Sequence, residues 1–241
     1  SILSDITYHK IELLPTTPTF LRMVLISGLL GEQDLSSLRI VTYGTERMDQ
    51  PTLDRLCAAL PTVDFRQTFG MSELGILRVK SKARDSLWMK VGGEGVTLRT
   101  DERDVLHIKT ETPMLGYMNA PSPFDSEGWY NTRDIVETDG EFIKVVARDS
   151  DLINVGGLKI LPSEVERIAL THPKGAFAKA YGRENSLTGQ HIECIIQPLD
   201  GSDLTKPEIR AHFADNLPVQ LRPRKVKLES VGVNHRFKQS G

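Results

Sequence analysis

The apolar residues of the first seventy positions alternate between helical and extended spacing. After Pro18, apolar side chains recur at helical spacing at Phe20, Leu21 and Val24, which predicts a helix. The apolar run LRIVTYG at 38–44 predicts a buried strand that ends at its glycine.

The same alternation continues to residue 75. Apolar residues from Leu53 to Leu60 share one helical face, and Pro61 closes that predicted helix. The run VDFRQTF at 63–69 predicts a strand that continues directly into GMSELG. Strand, helix, strand and glycine turn in this order are typical of an α/β sheet, in which ligands bind where strand ends meet loops.

Between residues 85 and 146 the apolar runs become shorter and turn residues separate them. GVTLRT and DVLHIKT predict short strands, and DIVETDGEFIKVVA predicts a hairpin. The Asp139–Gly140 pair is typical of a type I′ turn. This part of the chain is therefore predicted to be rich in β-structure.

A compact α+β unit is predicted after Arg148. Ser163 and Glu166 have the spacing of a capping box at the start of one helix, and Thr205 and Glu208 have the same spacing at the start of a second. AFAKAYG and HIECIIQPL predict two strands between these helices.

Length and composition set outer limits. The 241 residues suffice for two domains, which we place at 1–147 and 148–241 in a mixed α/β and α+β fold. A net charge of -2 gives no global attraction to nucleic acid, and the longest apolar run, 21–30, is too short to span a membrane. The two cysteines, Cys57 and Cys194, fit a cytoplasmic protein.

The segment QTFGMSELG at 67–75 carries the strongest candidate chemistry. Phe69 offers an aromatic face, Ser72 a hydroxyl and Glu73 a hard oxygen ligand, which together suit a nucleotide phosphate with Mg²⁺. A solvated turn would explain the same residues. A nucleophile elbow is disfavoured, because Leu74 replaces its second glycine and no His/Asp pair can be assigned.

Two further segments carry polar residues at predicted turns. Asp134 stands at a strand edge, where a carboxylate could accept hydrogen bonds from ribose, or it could be a solvated turn residue. Gly156 and Gly157 permit close approach of a ligand or simply form a turn. The basic segment 220–241 reads most simply as a solvated face.

Read in order, several segments resemble signatures of the adenylate-forming superfamily of acyl- and aryl-CoA ligases, peptide-synthetase adenylation domains and luciferases. They are LRIVTYGTERM, QTFGMSELG, DVLHIKTETPMLGYMN, GWYNTRDIVETDGEF, ARDSDLINVGGLKILPSEVE and NHRFKQ. The resemblance implies the end of the family's large domain, with a small β-rich subdomain, followed by its mobile C-terminal domain.

The resemblance also implies a nucleotide site. Its residues would be Gly44, Thr45, Glu46, Phe69, Gly70, Asp134 and Arg148. The first three would flank the adenine, the next two would belong to the motif that packs on the base, and the last two would hold the ribose.

Other residues would act in catalysis and domain movement. By resemblance, Ser72 would contact phosphate, Glu73 would support Mg²⁺, and Lys238 would bridge the carboxylate and the α-phosphate. Ser150 would be the hinge. The loop that lines the thiol tunnel would contain Gly156 and Gly157.

The implied reaction is ATP-dependent activation of a carboxylic acid to an acyl-adenylate, followed by transfer to the thiol of CoA or of a carrier-protein phosphopantetheine. Three features depart from the family. The chain lacks the glycine-rich phosphate loop, Arg133 replaces the glycine of TGD, and HRFK stands where the family has NGK at the catalytic lysine.

These departures leave two hypotheses open. In the first, the chain belongs to a ligase that is competent only with an upstream half, in the same chain or as a separate subunit. In the second, it is a non-catalytic adenylate-binding or interaction module. Both predict exposed apolar surface on residues 1–60, which an N-terminal half or a homo-oligomer would cover.

Overall fold

Three separate hydrophobic cores organise residues 2–229, which are the residues described by this computed structural model. The first core draws its buried side chains from residues 3–65, the second from 74–143 and the third from 153–226. Lys238 and the end of the predicted basic segment lie outside the described residues.

The first layer, residues 2–67, is a three-stranded parallel sheet with three helices. Its elements are α1 (Ile2–His9), β1 (Leu13–Thr16), α2 (Pro18–Ser27), β2 (Ile40–Tyr43), α3 (Gln50–Ala59) and β3 (Asp64–Gln67). The strand order is β1-β2-β3. Both predicted helices and the strand at 38–44 are confirmed. The helices begin at side-chain caps, Thr17 for α2 and Asp49 for α3, each followed by a proline in the first turn.

The predicted strand at 63–69 is broken. β3 ends at Gln67, and the backbone N–H and the hydroxyl of Thr68 both donate to the Tyr43 carbonyl at the end of the ladder, at 2.7 and 3.1 Å. The chain then turns into a separate hairpin. Its strands are β4 (Phe69–Met71) and β5 (Gly75–Leu77).

A six-stranded antiparallel sheet follows, in agreement with the short predicted strands. Its strands are β6 (Val79–Ser81), β7 (Met89–Val91), β8 (Val96–Thr100), β9 (Val105–Thr110), β10 (Tyr130–Asp139) and β11 (Phe142–Arg148), in the order β6-β7-β11-β10-β9-β8. The predicted β10–β11 hairpin forms, but the prediction of a type I′ turn is wrong. Asp139 pairs with Phe142, and only Gly140 of the two turn residues has a positive φ, of 59°. A type I′ turn needs two, whereas type II′ needs one at this first position.

The C-terminal layer, residues 153–228, combines a five-stranded sheet with two helices. Its elements are β12 (Ile153–Val155), β13 (Leu158–Ile160), α4 (Pro162–Thr171), β14 (Gly175–Asn185), β15 (Gly189–Pro198), α5 (Lys206–Asn216) and β16 (Lys225–Leu228). The capping box at Thr205 and Glu208 is confirmed, since each side chain accepts the other residue's backbone N–H.

The capping box predicted at Ser163 and Glu166 is wrong. Helix α4 begins two residues earlier than predicted, with Leu161 at the cap position and no side-chain cap. Glu166 is used elsewhere: its Oε1 accepts the Ala180 N–H at 3.1 Å, and its Oε2 forms an ion pair with Arg47 of the first layer.

The molecule is thus a mixed α/β structure, as predicted. Exposed apolar side chains within residues 1–60 also agree with the sequence, and Leu13 on the edge strand β1 is 50% exposed. The others are Ile2, Tyr8, Met23 and Leu29. Among the described residues, no helix has the length and apolar character needed to cross a membrane.

Candidate nucleotide site

One cleft of about 730 Å³ lies where the first layer, the antiparallel sheet and the C-terminal layer meet. We call it the central cleft. It is lined by seven of the residues predicted from sequence, namely Thr45, Glu46, Phe69, Gly70, Asp134, Arg148 and Ser150. Tertiary structure therefore brings together residues that are up to 105 positions apart in the chain, from Thr45 to Ser150.

The floor of the central cleft is shaped by two close backbone contacts. Gly44 is buried at the end of β2, and a Cβ there would lie 2.0 Å from the Thr68 hydroxyl oxygen. Gly70 lies in the β4–β5 hairpin, where a Cβ would lie 2.7 Å from the Gly75 carbonyl oxygen. Both positions therefore require glycine, but Gly44 supports the wall and does not line the cleft.

Glu46 lines the cleft but its carboxylate serves the fold. Oε2 accepts hydrogen bonds from both the hydroxyl and the backbone N–H of Thr19, in the first turn of α2. A carboxylate at a helix N-terminus is favoured by the helix dipole. Oε2 is thus committed to Thr19, whereas Oε1 is buried without a hydrogen-bond partner among the described residues.

Gln67 is a cleft residue that the sequence reasoning missed. It ends β3 immediately before Thr68 and Phe69, and it lines the cleft beside them. Its side-chain Oε1 is buried without a hydrogen-bond partner among the described residues. A buried acceptor without a partner is costly, so this amide is available to a donor on a ligand. The sequence did contain a signal for this residue, since Gln67 is a polar residue at a predicted strand end, two positions before Phe69.

A β-bulge places Asp134. Asn131 of β10 pairs with His107 of β9, yet Ile135 pairs with Val105, so three residues of β10 stand opposite one of β9. Thr132 holds this bulge together: its hydroxyl donates to the Leu106 carbonyl at 2.8 Å and accepts the Asp134 N–H at 3.1 Å. Bulges of this kind redirect side chains next to functional sites.

The bulge has a strained residue at its centre. Arg133 has a φ of +60°, a conformation that glycine adopts freely and other residues seldom do. Its backbone N–H donates to the Asn131 side-chain oxygen at 2.8 Å, which helps to hold this conformation. The substitution of TRD for TGD therefore changes the side chain without changing the backbone path.

Asp134 and Arg148 form an ion pair at the cleft, with 3.2 Å between Oδ1 and Nε. Burial raises the pKa of Asp134, and the adjacent Arg148 charge only partly opposes this effect. A buried carboxylate with one charged partner and a raised pKa is under-solvated. It is therefore well suited to accept further hydrogen bonds from a ligand's hydroxyl groups.

Glu73 lies beside this pair and not in the cleft lining. The Tyr117 hydroxyl donates to its Oε1, and the Met114 N–H donates to its backbone carbonyl at 2.9 Å. The Tyr117 hydrogen bond lowers the pKa of Glu73, with smaller help from Tyr130 and the charge of Arg148. Glu73 is thus held as a carboxylate within the electrostatic reach of Arg148. Tyr117 and Tyr130 were not predicted from sequence.

Comparison with known proteins finds similar families and structures. A family model described as "AMP-binding enzyme" matches residues 1–113. The 4-coumarate–CoA ligase 3 of Oryza sativa subsp. japonica is 27% identical over 90% of the chain and 44% of its own length. The 4-coumarate–CoA ligase 1 of Glycine max is 27% identical over 87% of the chain and 80% of its own length.

Solved structures share the fold over almost the whole chain. The anthranilate CoA ligase AuaEII in complex with anthranoyl-AMP aligns with a TM-score of 0.84 and 20% identity, over 99% of this chain and 50% of that one. ATP-bound MatB from Rhodopseudomonas palustris aligns with a TM-score of 0.83 and 19% identity, over 99% and 50%. In sequence and in fold, the chain resembles the adenylate-forming superfamily. It spans about half the length of most of the curated relatives it matches.

Two predicted glycines lie away from the central cleft. Gly156 and Gly157 form the turn between β12 and β13, with φ values of +60° and +88°, which fits a type I′ turn. Both are exposed. The Gly156 N–H donates to the Thr188 carbonyl at 2.8 Å, and the Gly157 N–H donates to the Asn154 side chain at 3.0 Å.

The remaining predicted residues of the superfamily site are distributed around the cleft. Ser150 lies at the cleft in a short 3-10 turn, Asp149–Asp151, and its hydroxyl donates to Asp151. Ser72 is exposed next to Glu73 and does not line the cleft. The role predicted for Lys238 stays a prediction, because that residue lies outside the described part of the chain.

Proposed function

We propose that this chain supplies the nucleotide-binding edge and the mobile domain of an ATP-dependent acid–thiol ligase. Such an enzyme joins a carboxylic acid to a thiol through an acyl-adenylate. The observation that carries the proposal is the Asp134–Arg148 pair at the cleft, beside the half-buried ring of Phe69. The names of the relatives as CoA ligases and the ATP and acyl-AMP in the neighbours' structures support it.

The cleft residues suggest how a nucleotide would be held. The face of Phe69 would pack on the base, and the partnerless Oε1 of Gln67 would accept a hydrogen bond from the base's amino group. Asp134 would accept hydrogen bonds from the ribose hydroxyls while Arg148 neutralises its charge. Gly44, Thr45 and the stem of Glu46 would form the adjoining wall.

Glu73 fits the requirements of a Mg²⁺ ligand. Its pKa is below the ordinary value, so it is anionic at neutral pH, and carboxylate oxygen is a preferred donor for this ion. No cluster of three acidic, histidine or cysteine ligands occurs among residues 2–229, so the nucleotide's phosphates would complete the coordination. Bound Mg²⁺ would neutralise phosphate charge, and Ser72 would donate a hydrogen bond to a phosphate oxygen.

The domain arrangement of the relatives is proposed for this chain as well. We assign 1–147 to the large domain and 148–241 to the mobile domain, with Ser150 as the hinge between them. Gly156 and Gly157 would approach the cleft after rotation, and Lys238 would neutralise charge during adenylation. The thiol would belong to CoA or to a carrier-protein phosphopantetheine, and both free cysteines fit a cytoplasmic location.

Full activity would require the part of the fold that the chain does not contain. The sequence lacks a glycine-rich phosphate loop, and apolar side chains such as Leu13 are exposed on the first layer. An N-terminal half, in the same polypeptide or as a separate subunit, would cover this surface; a second copy of the chain is the other candidate. The carboxylic acid would bind against that other half.

Calorimetric titration with AMP and with an acyl-sulfamoyl adenosine tests the proposed site. Asp134→Asn should weaken binding about tenfold or more, because charge-assisted hydrogen bonds to the ribose are lost. Asp139→Asn is the matched control, since Asp139 lies on the same strand but pairs with Lys82 at the surface. Equal binding by both variants would refute the assignment of the site.

Pyrophosphate exchange distinguishes the ligase from the non-catalytic module. We expect no exchange by the chain alone with ATP, Mg²⁺ and a panel of carboxylates, and exchange when the complementary half is added. Exchange by the chain alone would refute the need for that half. Nucleotide binding without exchange, even after complementation, would favour the binding module.

A further inference from the structure

Three arginines of the first layer contact the C-terminal layer. The Arg55 guanidinium donates to the Gly175 carbonyl at 3.0 Å, Arg22 lies over the Phe177 ring at 5.6 Å, and Arg47 pairs with Glu166. The hydrophobic core of the C-terminal layer includes no residue before Ile153 among those described. Arginine side chains therefore make much of the contact between the layers, and such interfaces between units of one chain are typically more polar than a shared core.

Arg47 is the central residue of this contact. One of its terminal nitrogens donates to the Val146 carbonyl at 2.7 Å, at the end of β11, and the other pairs with Glu166 of α4. It lies in the loop after β2 and lines the central cleft, as does Glu166. A single side chain thus joins the first layer to both the antiparallel sheet and the C-terminal layer.

Glu166 is held in this contact at the expense of a local alternative. Its second oxygen accepts the Ala180 N–H, from the edge of β14 that lines the cleft. Ser163, three residues before it, has capping-box spacing, but helix α4 has no side-chain cap. Glu166 therefore contacts two elements outside its own helix, the loop of Arg47 and strand β14.

We propose that Arg47 and Glu166 form the releasable contact that holds the C-terminal layer across the central cleft. The two side chains are 31% and 15% exposed, so the pair is neither fully screened by water nor locked in a dry interior. Because the pair is partly exposed, added salt should weaken the attraction between the two charges. The proposal rests on these contacts alone and holds whatever ligand the cleft binds.

Hydrogen exchange at the Ala180 amide tests this proposal in the full chain. Arg47→Met should accelerate its exchange about fivefold, the order of effect expected for a half-exposed pair. Exchange at Cys194, in the middle of β15, should not change, because β15 lies inside the sheet with β14 and β16 as neighbours, whereas the Ala180 N–H faces Glu166. Arg66→Met, which removes an arginine paired within the first layer with Asp64, is the matched control and should leave Ala180 unchanged.

The conservative variant Arg47→Lys keeps a cation beside Glu166 and leaves that carboxylate to accept the Ala180 N–H, so it should retain slow exchange at Ala180. Failure of Arg47→Met to alter Ala180, or equal acceleration at Cys194, would overturn the proposal. If the variants do not fold, the wild-type protein decides. Raising NaCl from about 0.05 to 0.5 M should accelerate Ala180 exchange selectively, and salt-independent exchange would overturn it.

Discussion

Arg148 and Asp134 stand directly opposite each other in the β10–β11 ladder, and their side chains meet with 3.2 Å between Nε and Oδ1. The two partners differ greatly in exposure, since the Asp134 side chain is 8% exposed and the Arg148 side chain 64%. The hairpin thus presents a buried carboxylate beside a solvent-facing cation. This arrangement leaves Arg148 free to reorient toward a ligand while Asp134 stays fixed by the bulge.

The raised pKa of Asp134 predicts a particular pH dependence of stability. The folded state binds the Asp134 proton more tightly than the unfolded state does, so this residue's contribution to stability falls as pH rises through the raised pKa. Asp134→Asn removes the titration. Relative to wild type, the variant should therefore gain stability between acid and neutral pH, as measured by denaturant unfolding. A relative loss over that interval would contradict the burial argument.

Arg133→Gly should stabilise the protein by about 1 kcal/mol, because glycine relieves the strain of the +60° φ at the centre of the bulge. Arg183→Gly is the control: Arg183 lies within β14 without a positive φ, so glycine there should destabilise by about 0.5–1 kcal/mol. Urea unfolding measures both. Opposite signs are expected, and destabilisation by both variants would show that the Arg133 side chain contributes more than its strain costs.

Gly44 follows the last residue of β2. Gly44→Ala should destabilise the fold by about 1–3 kcal/mol, since the new Cβ would lie 2.0 Å from the Thr68 hydroxyl oxygen. Gly31→Ala provides the comparison, because a Cβ at that position meets nothing within 4 Å. Thermal melting of the two variants should separate them clearly. Equal melting temperatures would mean that the β2–β3 end relaxes freely around residue 44.

The two capping-box motifs should respond differently to removal of their hydroxyls. Thr205→Ala should cost about 1 kcal/mol, because Thr205 accepts the Glu208 N–H at the start of α5. Ser163→Ala should leave the free energy of unfolding nearly unchanged, because α4 has no side-chain cap. Chemical denaturation at neutral pH provides the measurement. A large loss for Ser163→Ala would show that the sequence motif operates after all.

Much of this protein was predictable because the deciding contacts are local. Apolar spacing and proline positions predicted α2 and α3, and Thr205 with Glu208 predicted the start of α5. Colinear motifs indicated a resemblance to the adenylate-forming superfamily and predicted that Asp134 and Arg148 act at one site, and the two side chains do pair. These signals act over a few residues, so tertiary contacts had little opportunity to override them.

Tertiary structure decided the points at which a distant partner competes with a local one. The Thr68 hydroxyl donates to the Tyr43 carbonyl on the neighbouring strand, and the Glu166 side chain pairs with Arg47, 119 residues earlier, instead of capping its own helix. The Gln67 Oε1, which lacks a hydrogen-bond partner among the described residues, is likewise invisible in the sequence, since only the assembled cleft buries it. The sequence by itself determined the local elements and predicted which residues would carry the chemistry; the folded chain decided which of them meet, because hydrogen-bond partners are chosen in space.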